Sequence, residues 1–264
     1  MAIPKKVDLR IVQAFRKFRP ILQQAKNRDV NEADTVTLVK AILSEGFGWD
    51  PFFDVTSEFA VRSTFVDLAV KADNQISYLI EVKAIGGDLK DNHLRQALDY
   101  AANQGVEWVV LTNGAIWQAH RVIFGKPLNH ELVFQLDLLQ DELRNPKVRE
   151  AAFVLTKEGM TKSAISHFHA EKQALSKFNV AAIVRSEAVL AVVRRELKRA
   201  YPNLNPNIDH IKELVVSEVL KRDVVEGEKA DEAAKRMKRA NRPLRTKKIP
   251  SAGEADAAPL VPAD

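Results

Sequence analysis

The chain has 264 residues, 46% of them apolar, enough for a real core in one large domain or in a domain with an appendage. The absence of cysteine excludes disulfides, thiolate zinc sites and cysteine nucleophiles. No run reaches the roughly 18 apolar residues of a membrane span, and the N-terminus lacks the apolar region of a secretory signal, so a cytoplasmic protein with no membrane partner is expected.

Residues 7–25 place Val7, Ile11, Ala14, Phe15, Phe18, Ile21 and Leu22 at helical spacing, with an interruption expected at Pro20. Asn31 is the expected N-cap of a second helix that opens Glu32-Ala33-Asp34 and stops at Gly46. A strand follows over 54–62, carrying Glu58, and then the segment 65–83 reads as a β-hairpin. Asp67 lies on its first strand, and Glu81-Val82-Lys83 on its second. Side chains alternate faces along a strand, so Glu81 and Lys83 share one face. A loop centred on Asn74 sets Asp67 directly across from Glu81, with Cβ atoms about 5 Å apart. This pairing requires a loop with an odd number of residues. Two carboxylates so close repel each other unless a cation is shared between them, and burying either one unpaired is costly. The hairpin therefore reads as a site for a divalent metal ion.

Gly86-Gly87 breaks the chain, and residues 91–104 form a compact helix that ends at Gly105. Trp108-Val109-Val110-Leu111-Thr112 is a buried strand. Asn113-Gly114 is a two-residue hairpin turn leading into a strand over 116–122, and a short strand is expected over 132–136. The fold class is α/β: a mixed β-sheet flanked by helices, with a C-terminal all-helical region. The expected domains are an α/β domain over 1–145, a helical domain over 146–240 with helices at 148–157, 161–176, 179–200, 207–222 and 228–240, and a basic, disordered tail over 241–264. His167 and His169 are expected to face solvent, and Trp49, Trp108 and Trp117 to serve the core or its rim. The net charge of +5 is uneven, because residues 235–248 hold eight basic residues and no acidic one, leaving the rest mildly acidic. That segment suits a phosphate backbone, with Lys235, Arg236, Lys238 and Arg239 as candidate nucleic-acid contacts.

The order Glu32, Asp67, Glu81-Val82-Lys83, Gln96-Ala97-Leu98-Asp99-Tyr100 and Leu111-Thr112-Asn113-Gly114 resembles the N-terminal nuclease domain of type I restriction enzyme R subunits, within the PD-(D/E)xK nuclease superfamily. The match covers residues 28–140. An E-x-K triplet alone is weak, and Asp88-Leu89-Lys90 is a decoy with no apolar strand before it. The ordered set of elements is more specific. The resemblance implies a restriction-endonuclease-like core and Mg²⁺ (or Mn²⁺) bound by Asp67, Glu81 and Glu32. It implies that Lys83 activates the attacking water, that Gln96 and Tyr100 border the DNA path, and that the Leu-Thr-Asn-Gly turn is structural. Val66 stands where the superfamily's name has proline.

The activity so implied is Mg²⁺-dependent hydrolysis of DNA phosphodiesters, of the restriction and antiviral defence type. No Gly-x-x-x-x-Gly-Lys-[Ser/Thr] loop is present and the chain is too short for a helicase motor, so the nuclease is expected to stand alone or to take specificity from partner subunits. A homodimer is compatible with a double-strand cut. Two alternatives remain at this level: an inactive nuclease fold that binds nucleic acid or scaffolds a complex, and a helical interaction protein with its function in 146–240. The basic segment is separately testable. Truncation after Ala234 is expected to weaken DNA binding and to lower the slope of log K against log[salt] by about 0.9 for each phosphate no longer neutralised, read by fluorescence anisotropy over a salt series.

Overall fold

The computed structural model describes residues 2–61, 64–161 and 163–240, with main chain alone for 58–61 and 64–65. Its centre is a six-stranded mixed sheet in sequential order: β1 (Val55–Val61), β2 (Thr64–Ala72), β3 (Gln75–Val82), β4 (Trp108–Thr112), β5 (Ile116–Ile123) and β6 (Asn129–Asp137). All neighbours pair antiparallel except β3 and β4, which run parallel. The parallel step needs a crossover, and this is supplied by a 3₁₀ turn over Asp91–Leu94 and helix α3 (Arg95–Gln104). Gly105 closes α3 in the left-handed conformation at φ +69°, where a side chain would be strained.

Alternation along the strands creates two cores. Leu68, Val70, Tyr78, Ile80, Val82, Val110, Trp117 and Ala119 face one way, against α1 (Lys5–Asn27), α2 (Glu32–Glu45) and α4 (Pro146–Val154). Ala69, Leu79, Val109, Leu111 and Val122 face the other way, against Leu94, Ala97, Tyr100 and Ala101 of the crossover. The α/β expectation, a mixed sheet with flanking helices and a helical C-terminal region, holds. All three tryptophans are buried.

Several local expectations are corrected. Helix α1 runs unbroken through Pro20, because Val7, Ile11, Phe15, Phe18, Leu22 and Ala25 bury both halves in the same core. The strand expected at 132–136 is longer, and the expected helix over 179–200 is two. Ser186 caps the second of these, its hydroxyl accepting the Val189 N–H. His169 is buried, its Nε2 3.1 Å from Glu131 Oε2, because its helix packs on the sheet, whereas His167 is exposed.

The chain divides into two compact units, Met1–Lys172 and Gln173–Asp264, so the boundary lies beyond the expected residue 145. Helices α4, α5 (Lys157–Thr161) and the start of α6 (Ala164–Ala174) belong with the sheet, because Phe153, Leu155 and Ile165 complete its core. In the second unit α11 (Glu228–Ala240) packs along α7 (Lys177–Val184) through small residues, with Ala181, Ala182, Ala230 and Ala233 buried. The disordered tail expected over 241–264 lies outside the described residues. Among those described, no helix is long and apolar enough to cross a membrane.

On the α3 side, β5 buries His120 to 2% exposure, with its Nδ1 3.2 Å from Nδ1 of His130. Its Nε2 has no partner among the described residues. Burial first, and then the neighbouring His130, press its pKa down to about 4 against an opposing pull from Asp91. The unfolded chain takes up this proton near 6.5, well before the folded one does, so the associated stability is intact above pH 6.5 and is lost as pH falls toward 4. Wild type is expected to lose roughly 2–4 kcal/mol over that window that His120→Gln retains, measured by denaturant unfolding at both ends.

Candidate active site

The hairpin β2–β3 reaches its register by two steps that parity alone does not reveal. Its turn has two residues, Asp73 and Asn74, both left-handed at φ +50° and +63°. Near the turn Lys71 opposes Ile76, and a bulge between Val70 and Lys71 then shifts the pairing so that Leu68 opposes Ile80. The expected odd-numbered loop is therefore corrected, because one extra residue in the strand does the same work. Continued one step, that register would set Asp67 opposite Glu81. Beyond Leu68 and Ile80 the main-chain ladder has ended, and Asp67 Oδ2 accepts the N–H of Val82 at 2.6 Å.

Glu81 is 5% exposed, in the buried half of its strand beside Tyr78, Leu79, Ile80 and Val82. Lys83 is held just past the strand by its own N–H, which donates to Thr112 O at 2.8 Å. Its ammonium lies 2.8 Å from Glu81 Oε1 and 3.5 Å from both oxygens of Glu32. Glu32 is the first residue of α2, placed there by Asn31, whose side chain accepts the Asp34 N–H at 2.9 Å. Burial pushes the Glu81 carboxyl above its usual range; the hydrogen bond from Lys83 works against this, while the charge on Asp67 adds to it. Burial opposes the charge on Lys83, but the Glu81 bond and the negative charges of Glu81, Glu32 and Asp67 prevail and raise its pKa. The result is a lysine whose charged form is favoured, placed between Glu81 and Glu32 past the end of β3.

Among the described residues no three His, Asp or Glu side chains converge closely enough to hold a metal ion. Asp67, Glu81 and Glu32 are thus not gathered as one ligand set, because Lys83 stands between Glu81 and Glu32. Asp67 and Glu81 by themselves are hard oxygen donors of the kind that suits Mg²⁺ or Mn²⁺. The side chain of Glu58 lies outside those described.

The Gln96–Tyr100 pair is split by burial. Gln96 is exposed, but Tyr100 is 1% exposed and packs in the core under α3, which corrects its expected contact with DNA. Lys235, Arg236, Lys238 and Arg239 are all exposed on α11, with Arg236 Nη1 3.5 Å from Gln173 Oε1. The basic residues beyond position 240 lie outside the described residues.

Two features escape the sequence reading. The turn after β4 centres on Gly114 and Ala115, not on Asn113 and Gly114; Gly114 takes φ +81°, and Asn113 N–H donates to Ile116 O. The Asn113 side chain is occupied elsewhere. Its Oδ1 accepts from Ile116 N–H, and its Nδ2 donates to Ile85 O and Gly87 O, tying this turn to the exit of β3. Beside that tie lies a cleft of about 430 Å³ lined by Lys26, Gly86, Gly87, Lys90, Asn113 and Gln118. A Cβ on Gly86 would meet Asp29 Oδ1 at 2.4 Å, so the exposed Asp29 side chain of the α1–α2 turn lies directly against this loop. The Gly-Gly break and the Asn-Gly pair were visible signals for both features.

Comparisons with protein-family models, with curated proteins and with solved structures return no match for this chain. The site is read from its own geometry. Replacing Lys83 by alanine removes the hydrogen bond that offsets burial, so the Glu81 carboxyl is expected to titrate higher still, followed by carboxyl ¹³C NMR. The stability cost of that variant at neutral pH is expected at about 1–3 kcal/mol.

Proposed function

We propose that this chain is a metal-dependent DNA endonuclease of the PD-(D/E)xK type, the nuclease part of a restriction and defence system without its helicase motor. The observation that carries the reading is the buried Glu81 carboxylate, paired with Lys83 on its own strand face and set across from Asp67 where the sheet opens. A charged cluster in that place has little value as a stabilising device, because desolvation offsets most of what the ion pair contributes. Its ordering of acid, acid and lysine, together with Gln96 and the Leu111–Gly114 turn, supports the superfamily resemblance.

Asp67 and Glu81 would hold Mg²⁺ or Mn²⁺, which when bound supplies charge neutralisation at the phosphoryl oxygens and a more acidic water. With its charged form favoured by Glu81 and Glu32, Lys83 would serve as a donor that orients a water or a non-bridging phosphate oxygen and balances the charge that develops there. Glu32 accepts from the same ammonium and fixes its direction, which makes it a positioning residue. Gln96 is exposed on the helix across that face of the sheet, and the cations of α11 supply sequence-independent attraction for the phosphate backbone.

A second reading draws on one specific observation. Lys83 bridges Glu81 and Glu32 in the manner of a structural ion pair, as an inactive nuclease fold that binds nucleic acid would retain. Plasmid cleavage with Mg²⁺ separates the two. Wild type is expected to cut, and Asp67→Ala, Glu81→Ala and Lys83→Ala each to lower the rate at least about 100-fold, with DNA binding kept by Lys83→Ala to within a few-fold. A folded wild-type protein that binds DNA and cuts with neither Mg²⁺ nor Mn²⁺ would leave the second reading standing.

A further inference from the structure

Phe52 and Phe53 are 87% and 84% exposed, side by side on the turn that leads into β1. The turn is rigid. Asp50 Oδ1 accepts the N–H groups of both phenylalanines at 2.8 and 3.0 Å, Asp54 N–H donates to Asp50 O at 2.9 Å, and Asp50 N–H donates to Asp54 Oδ2 at 2.8 Å. Pro51 has no N–H, so every donor from 50 to 54 is satisfied within the turn. Lys157 Nζ then anchors Asp54 from helix α5 at 2.6 Å. The shape depends on Asp50, Pro51 and Asp54, and it asks nothing of the side chains at 52 and 53, where polar residues would serve as well. Two adjacent aromatic rings held in water by a pinned backbone are preorganised anchors for an apolar contact.

The occupant can be chosen from charge and position. Asp50 and Asp54 are the charged residues of the turn, and it has no basic residue of its own, which suits neither a DNA backbone nor an anionic lipid surface. The turn runs directly into the outer strand of the sheet. Asp54 C=O accepts from Lys71 N–H on the β2 side, so alternation turns the N–H and C=O groups of Val55 and Ser57 outward. Among the described strands β1 has a partner on one side alone. An antiparallel pairing of β1 with itself about a two-fold axis would satisfy that edge on both copies. The Phe52–Phe53 turn runs straight into that edge and would flank the paired strands.

We propose that the Phe52–Phe53 turn and the outer edge of β1 form the interface with a second copy of this chain. The interface itself is independent of the nuclease reading; its consequence, that two copies supply one active site for each strand of a duplex, rests on that reading. Sedimentation velocity of the full chain over a concentration series tests it. Wild type is expected to sediment as a dimer. The double variant Phe52→Ser/Phe53→Ser, folded by circular dichroism, is expected to raise the dissociation constant at least about 100-fold. Ser57→Pro, which removes one outward N–H, is expected to weaken the dimer as well. On supercoiled plasmid the double variant should still nick but no longer linearise at concentrations where wild type does both. A wild-type monomer throughout the series overturns the proposal, and so does a dimer that the double variant leaves intact. A monomer that floats with phosphatidylcholine vesicles only when both phenylalanines are present assigns the pair to a lipid surface and equally overturns it. A dimer that dissociates as expected but never cuts DNA supports the interface and removes the nuclease reading.

Discussion

One carboxylate buried in a sheet constrains the rest of this structure. Glu81 sits at 5% exposure in the buried half of its strand, among Tyr78, Leu79, Ile80 and Val82, where a lone charge is strongly disfavoured. Lys83 answers it from two residues along the same strand, and the parallel neighbour β4 holds the lysine's own main chain through Thr112. Glu32 then meets the far side of the ammonium from the start of α2. Three elements distant in sequence are thus organised by the charge requirements of a single group. Burial, above all, raises its pKa, against the hydrogen bond from Lys83.

The scaffold around that group is built to open on one side. Asp67 takes the Val82 N–H with its side chain where a strand carbonyl would otherwise bond, and there the β2–β3 ladder ends. Asn113 secures the loop that follows, bonding Ile85 and Gly87 while it closes its own turn. The Asp29 carboxylate packs directly against Gly86. The sheet end therefore stays splayed yet firmly held, the condition under which charged groups can keep a fixed geometry without being sealed from water.

Much of the element order was legible in the chain, for identifiable reasons. The β3 and β4 runs are apolar on both faces because helices cover both, and the Asn31 cap and the Gly105 stop are local chemistry that tertiary contacts do not override. Other features were not legible. Asn113-Gly114 has the strongest two-residue turn signal, yet the turn is displaced by one residue because Asn113 is recruited by carbonyls more than twenty positions away. The bulge that returns β2 and β3 to register adds a residue where no glycine or proline announces it. Tyr100 and Gln96 share helical spacing, but the depth of the sheet beneath each differs, so one is core and the other surface.

By itself the sequence determined the alternation of elements, the strand face shared by Glu81 and Lys83, and the concentration of positive charge near the C-terminus. These depend on periodicity, capping and composition, which act over a few residues. Tertiary structure alone decided that Lys83 bridges Glu81 and Glu32, that helices as far as Lys172 belong with the sheet, and that Phe52 and Phe53 project from it. Each of these depends on what lies across the fold, and burial and Coulomb energy are set by distances in space that no local pattern encodes.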